Sequence, residues 1–299
     1  MNRRKEKILI QSLVGVHQID FYIKCLNSLL DFCQDPIKLL LHSDGSLSTK
    51  DKEKILTNLG EDHILFSNPT IFKENTMDQL KGRPNCLKIR QNSIWGIEFF
   101  DPLFAQTDER YSFYIDADIL FKKPFECLFD KKIIEEGAVF LSDSQWDAYS
   151  LRPWQFFGLG KKPKIVRGIT TGLVCWDKSV IDWDYLEWFL GKTQYHKIPE
   201  WVLPTAQSGL ASLCNAKRVT NLQILNMYPN AEIKYETFGL HLLGSYRKNW
   251  LAKIDKHNFS ENINAETISA RFENCLIQNP VGYSLNQAKR WVNTRLGRW

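Results

Sequence analysis

With 299 residues, 43% hydrophobic and 13% aromatic content, the chain can bury a large core, which excludes a disordered or low-complexity protein. A net charge of +5 is too weak a basic balance to argue for nucleic acid and suits anionic small ligands or an anionic membrane surface. The seven cysteines are odd in number and form no Cys-x-x-Cys pair, so a zinc site or disulfide framework is disfavoured and a reducing compartment is expected.

Ile8–Val14 reads as a buried strand ending at Gly15. Ile19, Tyr22, Ile23, Leu26, Leu30 and Cys33 then recur at helical spacing until Asp35-Pro36. Ile37–His42 predicts a second strand, with Ser43-Asp44-Gly45 as its turn. Ser48 and Asp51 form a capping-box pattern that opens a helix to about Asn58, closed at Gly60. Ile64–Phe66 is a short third strand. This β-α-β-α-β order predicts a mostly parallel sheet covered on both faces. Pro69–Pro84 is polar and predicts a loop or lid, and Ser93–Phe104 predicts an aromatic-rich helix as far as Pro102. Later strands are expected at Ala138–Leu141 and Leu173–Trp176, helices near Tyr185–Leu190 and Ala206–Leu213, and terminal helices from about Ser260.

The stretch Tyr111–Pro124 carries the strongest chemical signal. An apolar run, Phe113-Tyr114-Ile115, ends on Asp116 and Asp118, and a second, Ile119-Leu120-Phe121, follows. Two ionised carboxylates this close repel by roughly 4 kcal/mol at a near-surface effective dielectric. A divalent cation removes that cost, and hard oxygen ligands suit Mg2+ or Mn2+ held together with substrate phosphates. In an open parallel sheet ligands bind beyond the carboxyl ends of the strands, where Gly15, Asp44, Asp116 and Asp118 all fall. Asp143, at the end of the Ala138–Leu141 strand, and nearby Asp147 are candidates to orient a sugar or act as base.

In that context the Asp116-Ala117-Asp118 triplet resembles the Asp-any-Asp motif of GT-A glycosyltransferases. Gly168–Trp176 resembles the acceptor-side strand of that fold, with Thr170-Thr171-Gly172 in place of its Asn-Ser-Gly. His241–Trp250 resembles the His-x-x-Gly-x-x-Lys segment of glycosyltransferase family 8, with His241 and Gly244 matching, Arg247 at the lysine position and Lys248 beside it. The Asp-Gln pair that often follows the acceptor strand is not evident. The resemblance spans roughly residues 8–250 as an ordered set of short motifs, and its departures suggest a distant or separate family.

The resemblance implies a GT-A (Rossmann-like) mixed α/β fold with a mostly parallel sheet, helices on both faces and a helical C-terminal tail. It implies a glycosyltransferase domain over 1–255, with a nucleotide-sugar half about 8–125 and an acceptor half about 126–255, followed by an extension, 256–299. The expected activity is metal-dependent transfer of a sugar from a nucleotide diphosphate, most plausibly a UDP-sugar, to an acceptor hydroxyl, with a slight lean to retention. The metal, Mn2+ or Mg2+, would be held by Asp116, Asp118 and His241, and the diphosphate would meet Arg247, Lys248 and the Gly244 turn. Val14, Gly15 and Asp44 would hold the nucleotide, Lys88 and Arg90 would lie near the donor sugar, and Thr170, Thr171 and Gly172 would face a carbohydrate, lipid-linked or protein acceptor.

Two other readings stay open: a sugar-nucleotide nucleotidyltransferase, which lacks its Gly-rich basic signature after the first strand, and a non-catalytic carbohydrate-binding protein on the same fold. The N-terminal apolar run is too short for a signal peptide, and no apolar run of about 18 residues occurs. The expectation is a cytoplasmic protein, with peripheral membrane contact through the basic and aromatic residues of 287–299.

Overall fold

The computed structural model describes residues 7–105, 110–143, 149, 155, 164–193, 201–244, 246–256 and 266–296. The chain opens as expected: β1 (Ile8–Val14), α1 (Ile19–Phe32), β2 (Ile37–Ser43), α2 (Thr49–Leu59) and β3 (Ile64–Phe66). Ser48 and Asp51 form the anticipated reciprocal cap of α2, and Gly60 closes it at φ 83°. Three helices follow: α3 (Pro69–Gln79), α4 (Pro84–Asn92) and α5 (Ile94–Phe104). Next come β4 (Tyr111–Ile115), β5 (Ile119–Phe121), β6 (Phe125–Glu126), β7 (Gly137–Ser142), β8 (Ile165–Val166) and β9 (Ile169–Asp177). Then α6 (Trp183–Lys192), α7 (Val202–Ala211), β10 (Asn215–Val219), β11 (Ile224–Asn226), β12 (Gly239–His241) and α8 (Arg247–Lys256). The described chain ends in β13 (Ile268–Ser269), β14 (Phe272–Asn274), β15 (Ile277–Gln278) and α9 (Pro280–Arg295).

The main sheet has eight strands in the order β14-β10-β7-β9-β4-β1-β2-β3. β1 pairs in parallel with β2 and β4, and β2 with β3, while β9 runs antiparallel between β4 and β7. The carboxyl ends of β1, β2, β4 and β7 therefore lie at one end of the sheet, and reversed β9 begins there. A separate three-stranded sheet, β11-β12-β5, sits just past β4.

Side chains alternate between two cores, as the period of two in a strand requires. Phe113, Ile115, Val139, Leu141 and Leu173 join the core under α1 and α2. Phe140, Val174 and Trp176 join the core under α5, α6 and α7. The mixed sheet covered on both faces is thus as expected.

Three expectations are corrected. Residues 69–84 are mostly helical, because Pro69 and Pro84 stand in the first turns of α3 and α4, where a missing N–H costs nothing. Asn68 caps α3 with its side chain, accepting from the amides of Thr70 and Ile71. The helix α5 runs past Pro102 to Phe104: the proline forgoes one i→i−4 bond, and its carbonyl is held by Gln11 Nε2 at 2.9 Å and Ser112 Oγ at 3.0 Å. Residues 268–278 hold three short strands, and β14 pairs with β10 at the edge of the main sheet.

Candidate metal centre

The two sheets meet at the Asp116–Asp118 turn. Asp116 leaves β4 with its amide donating to Gly172 O of β9 at 2.8 Å, and Leu242 N donates to Asp118 O at 3.0 Å. In the small sheet His241 pairs across from Ile119 on one side and Asn226 on the other. That register carries the histidine to the carboxylates: Nε2 lies 3.2 Å from Asp118 Oδ1 and 3.8 Å from Asp116 Oδ2. One ligand atom from each of Asp116, Asp118 and His241 lies within 4.8 Å of the others.

The surroundings fix what this cluster can accept. Asn226 Nδ2 donates to Ser142 O at 2.7 Å, so its oxygen faces His241 Nδ1 at 2.8 Å and accepts from it. In the neutral ring Nε2 then presents a lone pair to two carboxylates, and Asp118 Oδ1 is buried without a hydrogen-bond donor. Three electron-pair donors converge with no proton between them, which fits a divalent cation with oxygen and imidazole ligands.

The electrostatics agree. Burial, then the neighbouring Asp118 charge, push Asp116 up to about 7. Burial also acts to raise Asp118, but His241 and Arg247 outweigh it and hold the group below its ordinary value. Burial would lower His241, and the Asp118 and Asp116 charges reverse that and raise it. Asp116 and His241 thus respond to neighbouring negative charge of the kind a cation would neutralise, whereas Asp118 answers to the positive charge of His241 and Arg247.

Arg247, at the start of α8, closes one side. Its guanidinium donates to Asp118 and Gln18, its Nε donates to Leu242 O at 3.0 Å, and it lies over the Phe21 ring at 4.9 Å. Lys248 is exposed on the same helix, and Gly244 is exposed with open space where a Cβ would project.

Glu98 of α5 also lies near the two aspartates, a residue the sequence reading missed. Its carboxylate is hydrogen-bonded by Thr171, and burial followed by the Asp116 charge drives it well above the ordinary carboxylate value. With Tyr114, whose hydroxyl donates to Asp116 Oδ1 at 3.0 Å, it makes a third acidic wall. The available signal was an isolated acid in the apolar run Ile94-Trp95-Gly96-Ile97-Glu98-Phe99-Phe100. Asn226 was missed too, and nothing in its local sequence marks it.

Gly172 packs against the histidine of the cluster: a Cβ there would sit 2.7 Å from His241 Cε1. Thr170 and Thr171 are half-buried at the start of β9. Asp143, just past β7, is buried, and accepts from the Tyr228 hydroxyl at 3.1 Å. Its neighbour Ser142 holds Asn226, so Asp143 stands beside the support of the histidine. Asp147 lies outside the described residues.

On the other flank, Asp44 N donates to Val14 O at 3.3 Å, and a Cβ on Gly15 would meet Asp44 Oδ2 at 2.3 Å. Asp44 lines a cavity of about 470 Å³ at the end of β2, together with His42, Phe72, Arg90 and Asp101. Arg90 is buried and bonds Asp101 through Nε at 2.5 Å and Nη2 at 2.8 Å. Its charge is committed within the protein, and Lys88 is exposed on α4.

No protein-family model matches this chain, and no curated protein sequence matches it. Solved structures do. Mouse xyloside xylosyltransferase 1, in its apo form, superposes with a TM-score of 0.53 at 10% identity, over 79% of this chain and 96% of that one. The galactosyltransferase LgtC, in complex with donor and acceptor sugar analogues, gives 0.50 at 13% identity, over 84% of this chain and 95% of that one. The fold is that of GT-A glycosyltransferases.

Proposed function

We propose that this protein is a metal-dependent glycosyltransferase that moves a sugar from a nucleoside diphosphate to an acceptor hydroxyl. The observation that carries the reading is the Asp116–Asp118–His241 cluster, with its donor-less Asp118 oxygen, flanked by Arg247 on a GT-A fold. Two similar folds belong to a xylosyltransferase and a galactosyltransferase, and the reading extends their class of reaction to this chain.

Asp116, Asp118 and His241 would hold Mn2+ or Mg2+, which when bound neutralises charge on the leaving diphosphate. Asn226 keeps the His241 lone pair aimed at the site. Arg247 can exchange part of its Asp118 contact for phosphate oxygens, in the planar geometry that guanidinium groups favour, and Lys248 adds a second cation nearby. Val14, Gly15 and Asp44 would receive the nucleoside of a UDP-sugar, with Asp44 accepting from a ribose hydroxyl or a uracil group.

Residues 8–125 would supply the nucleotide half and 126–255 the acceptor half. Thr170 and Asp143, at the same sheet end, would face the sugar and the acceptor. Glu98 and Thr171 would accept from sugar hydroxyls beside the two aspartates. Retention is the favoured stereochemistry, which NMR of the product anomer tests.

Calorimetry with UDP and Mn2+, followed by a screen of sugar nucleotides for metal-dependent hydrolysis, tests the activity. Tight Mn2+-dependent binding with slow sugar release is expected, and Asp118→Asn should abolish both. Failure to bind any nucleotide would leave a carbohydrate-binding protein on this fold.

A further inference from the structure

The last helix of the described chain is amphipathic in an unusual sense. Its docked face is set by Tyr283, fully buried with its ring 6.4 Å from that of Tyr149, and by Arg290, whose guanidinium lies 4.8 Å over Trp201. Those residues are seven apart, two helical turns on one side. The opposite side is apolar and faces solvent. Val281, Leu285, Val292 and Leu296 are 58%, 66%, 44% and 58% exposed. Their spacing of four, seven and four residues draws one stripe along the helix axis. Trp291, 60% exposed, flanks the stripe, with the Arg295 guanidinium 4.6 Å over its ring. Lys289 is exposed on the other flank.

A helix that needed only to dock on the domain would keep polar residues on that outer face. The stripe therefore calls for an occupant, and charge selects it. Residues 274–299 contain no Asp or Glu and four basic residues, Lys289, Arg290, Arg295 and Arg298. A second copy packed symmetrically on this stripe would bring Lys289 and Arg295 against their own counterparts, with no carboxylate in the segment to pair them. An anionic lipid surface meets both properties: acyl chains receive the apolar stripe, and headgroup phosphates receive the basic flanks and the tryptophan. No described helix is long and apolar enough to cross a membrane, so the contact lies in the plane of the surface.

We propose that α9 is an interfacial helix that seats the protein on an anionic membrane, with Val281, Leu285, Val292 and Leu296 entering the lipid. The inner face of the helix leads back to the candidate acceptor side. Tyr283 packs on Tyr149, whose hydroxyl donates to Val166 O at 2.5 Å, and two residues on, Gly168 O accepts from Asp143 N at 2.9 Å. The helix therefore presents lipid on one side and the acceptor end of the sheet on the other, as an enzyme acting on a lipid-linked acceptor requires.

The test is flotation of the full chain with phosphatidylcholine vesicles containing about one-third phosphatidylglycerol, against phosphatidylcholine alone, without nucleotide. The wild type should float with the anionic vesicles and not with the neutral ones. Leu285→Asp, in the stripe, and Lys289→Glu with Arg295→Glu, on its flanks, should each reduce recovery about tenfold or more. All three positions are exposed, so the thermal midpoint should be retained. Absence of flotation by the wild type, or wild-type recovery of both variants, would overturn the proposal. So would concentration-dependent self-association in sedimentation that Leu285→Asp abolishes, which would assign the stripe to a second copy. Because lipid binding is read without nucleotide, the outcome is separate from that of the catalytic reading.

Discussion

Asn226 holds His241 by its Nδ1 at 2.8 Å, and through that single contact the opposite ring nitrogen is kept for the carboxylates. The amide has no freedom to flip, because its nitrogen is engaged by Ser142 O at 2.7 Å.

Removing that support should weaken the metal site without touching a ligand. Asn226→Ala is expected to lower Mn2+ affinity about 10–100-fold, measured by calorimetry, with the circular-dichroism spectrum unchanged. Undiminished affinity would show that the ring is oriented by something else.

Gly172→Ala makes the complementary perturbation. The added methyl would lie 2.7 Å from His241 Cε1, so the ring or β9 has to move, at a cost of about 1–3 kcal/mol. Mn2+ binding should fall further than stability does. A variant with normal metal affinity would mean that β9 yields instead of the histidine.

Arg90 and Lys88 should behave differently. Arg90→Ala leaves Asp101 buried without its ion-pair partner, which typically destabilises by about 3–5 kcal/mol. Lys88→Ala, at an exposed position, should stay within about 0.5 kcal/mol of wild type. Urea unfolding of the two variants checks this, and equal midpoints would contradict the assignment of Arg90 to the protein interior.

His42 gives a pH dependence. Its Nε2 lies 2.9 Å from Gln11 Oε1, and burial together with Arg90 lowers it to about 4. The unfolded chain, with an ordinary histidine near 6.5, binds more protons between those values. Stability contributed by His42 is therefore full above about pH 6.5 and is lost as pH falls toward 4, by up to about 3 kcal/mol. His42→Gln, which can still donate to Gln11, should flatten that part of the profile when urea midpoints are compared at pH 7.5 and 5 (chosen to bracket about 6.5). The same slope in both proteins would rule His42 out as its source.

Much of this architecture is legible in the chain because local and global signals agree. The first three strands and two helices are bounded by Gly15, Asp35-Pro36, the Ser48–Asp51 cap and Gly60, each of which acts as its residue type predicts. Asp116 and Asp118 stand out because two acids between apolar strands need a reason. The prolines misled at 69, 84 and 102: a proline forbids a preceding turn of helix but not the turn it begins, and at 102 burial of the apolar helix outweighs the one i→i−4 bond forgone. Glu98 enters the site through helix packing and Asn226 through strand register; an isolated acid in an apolar run marks the first, and nothing local marks the second. The strands at 268–278 are too short to show a period of two.

The proposed cation-binding set is drawn from remote parts of the chain. Asp118 and the Arg247 that grips it are 129 residues apart, and His241 arrives just before Arg247. During synthesis the two aspartates emerge from the ribosome long before the histidine and arginine that complete the set. A growing chain thus carries only part of the proposed ligand set, which is complete only once β12 has paired with β5. On the proposed reading, metal capture would come late in assembly and would stabilise only chains whose two sheets have already come together.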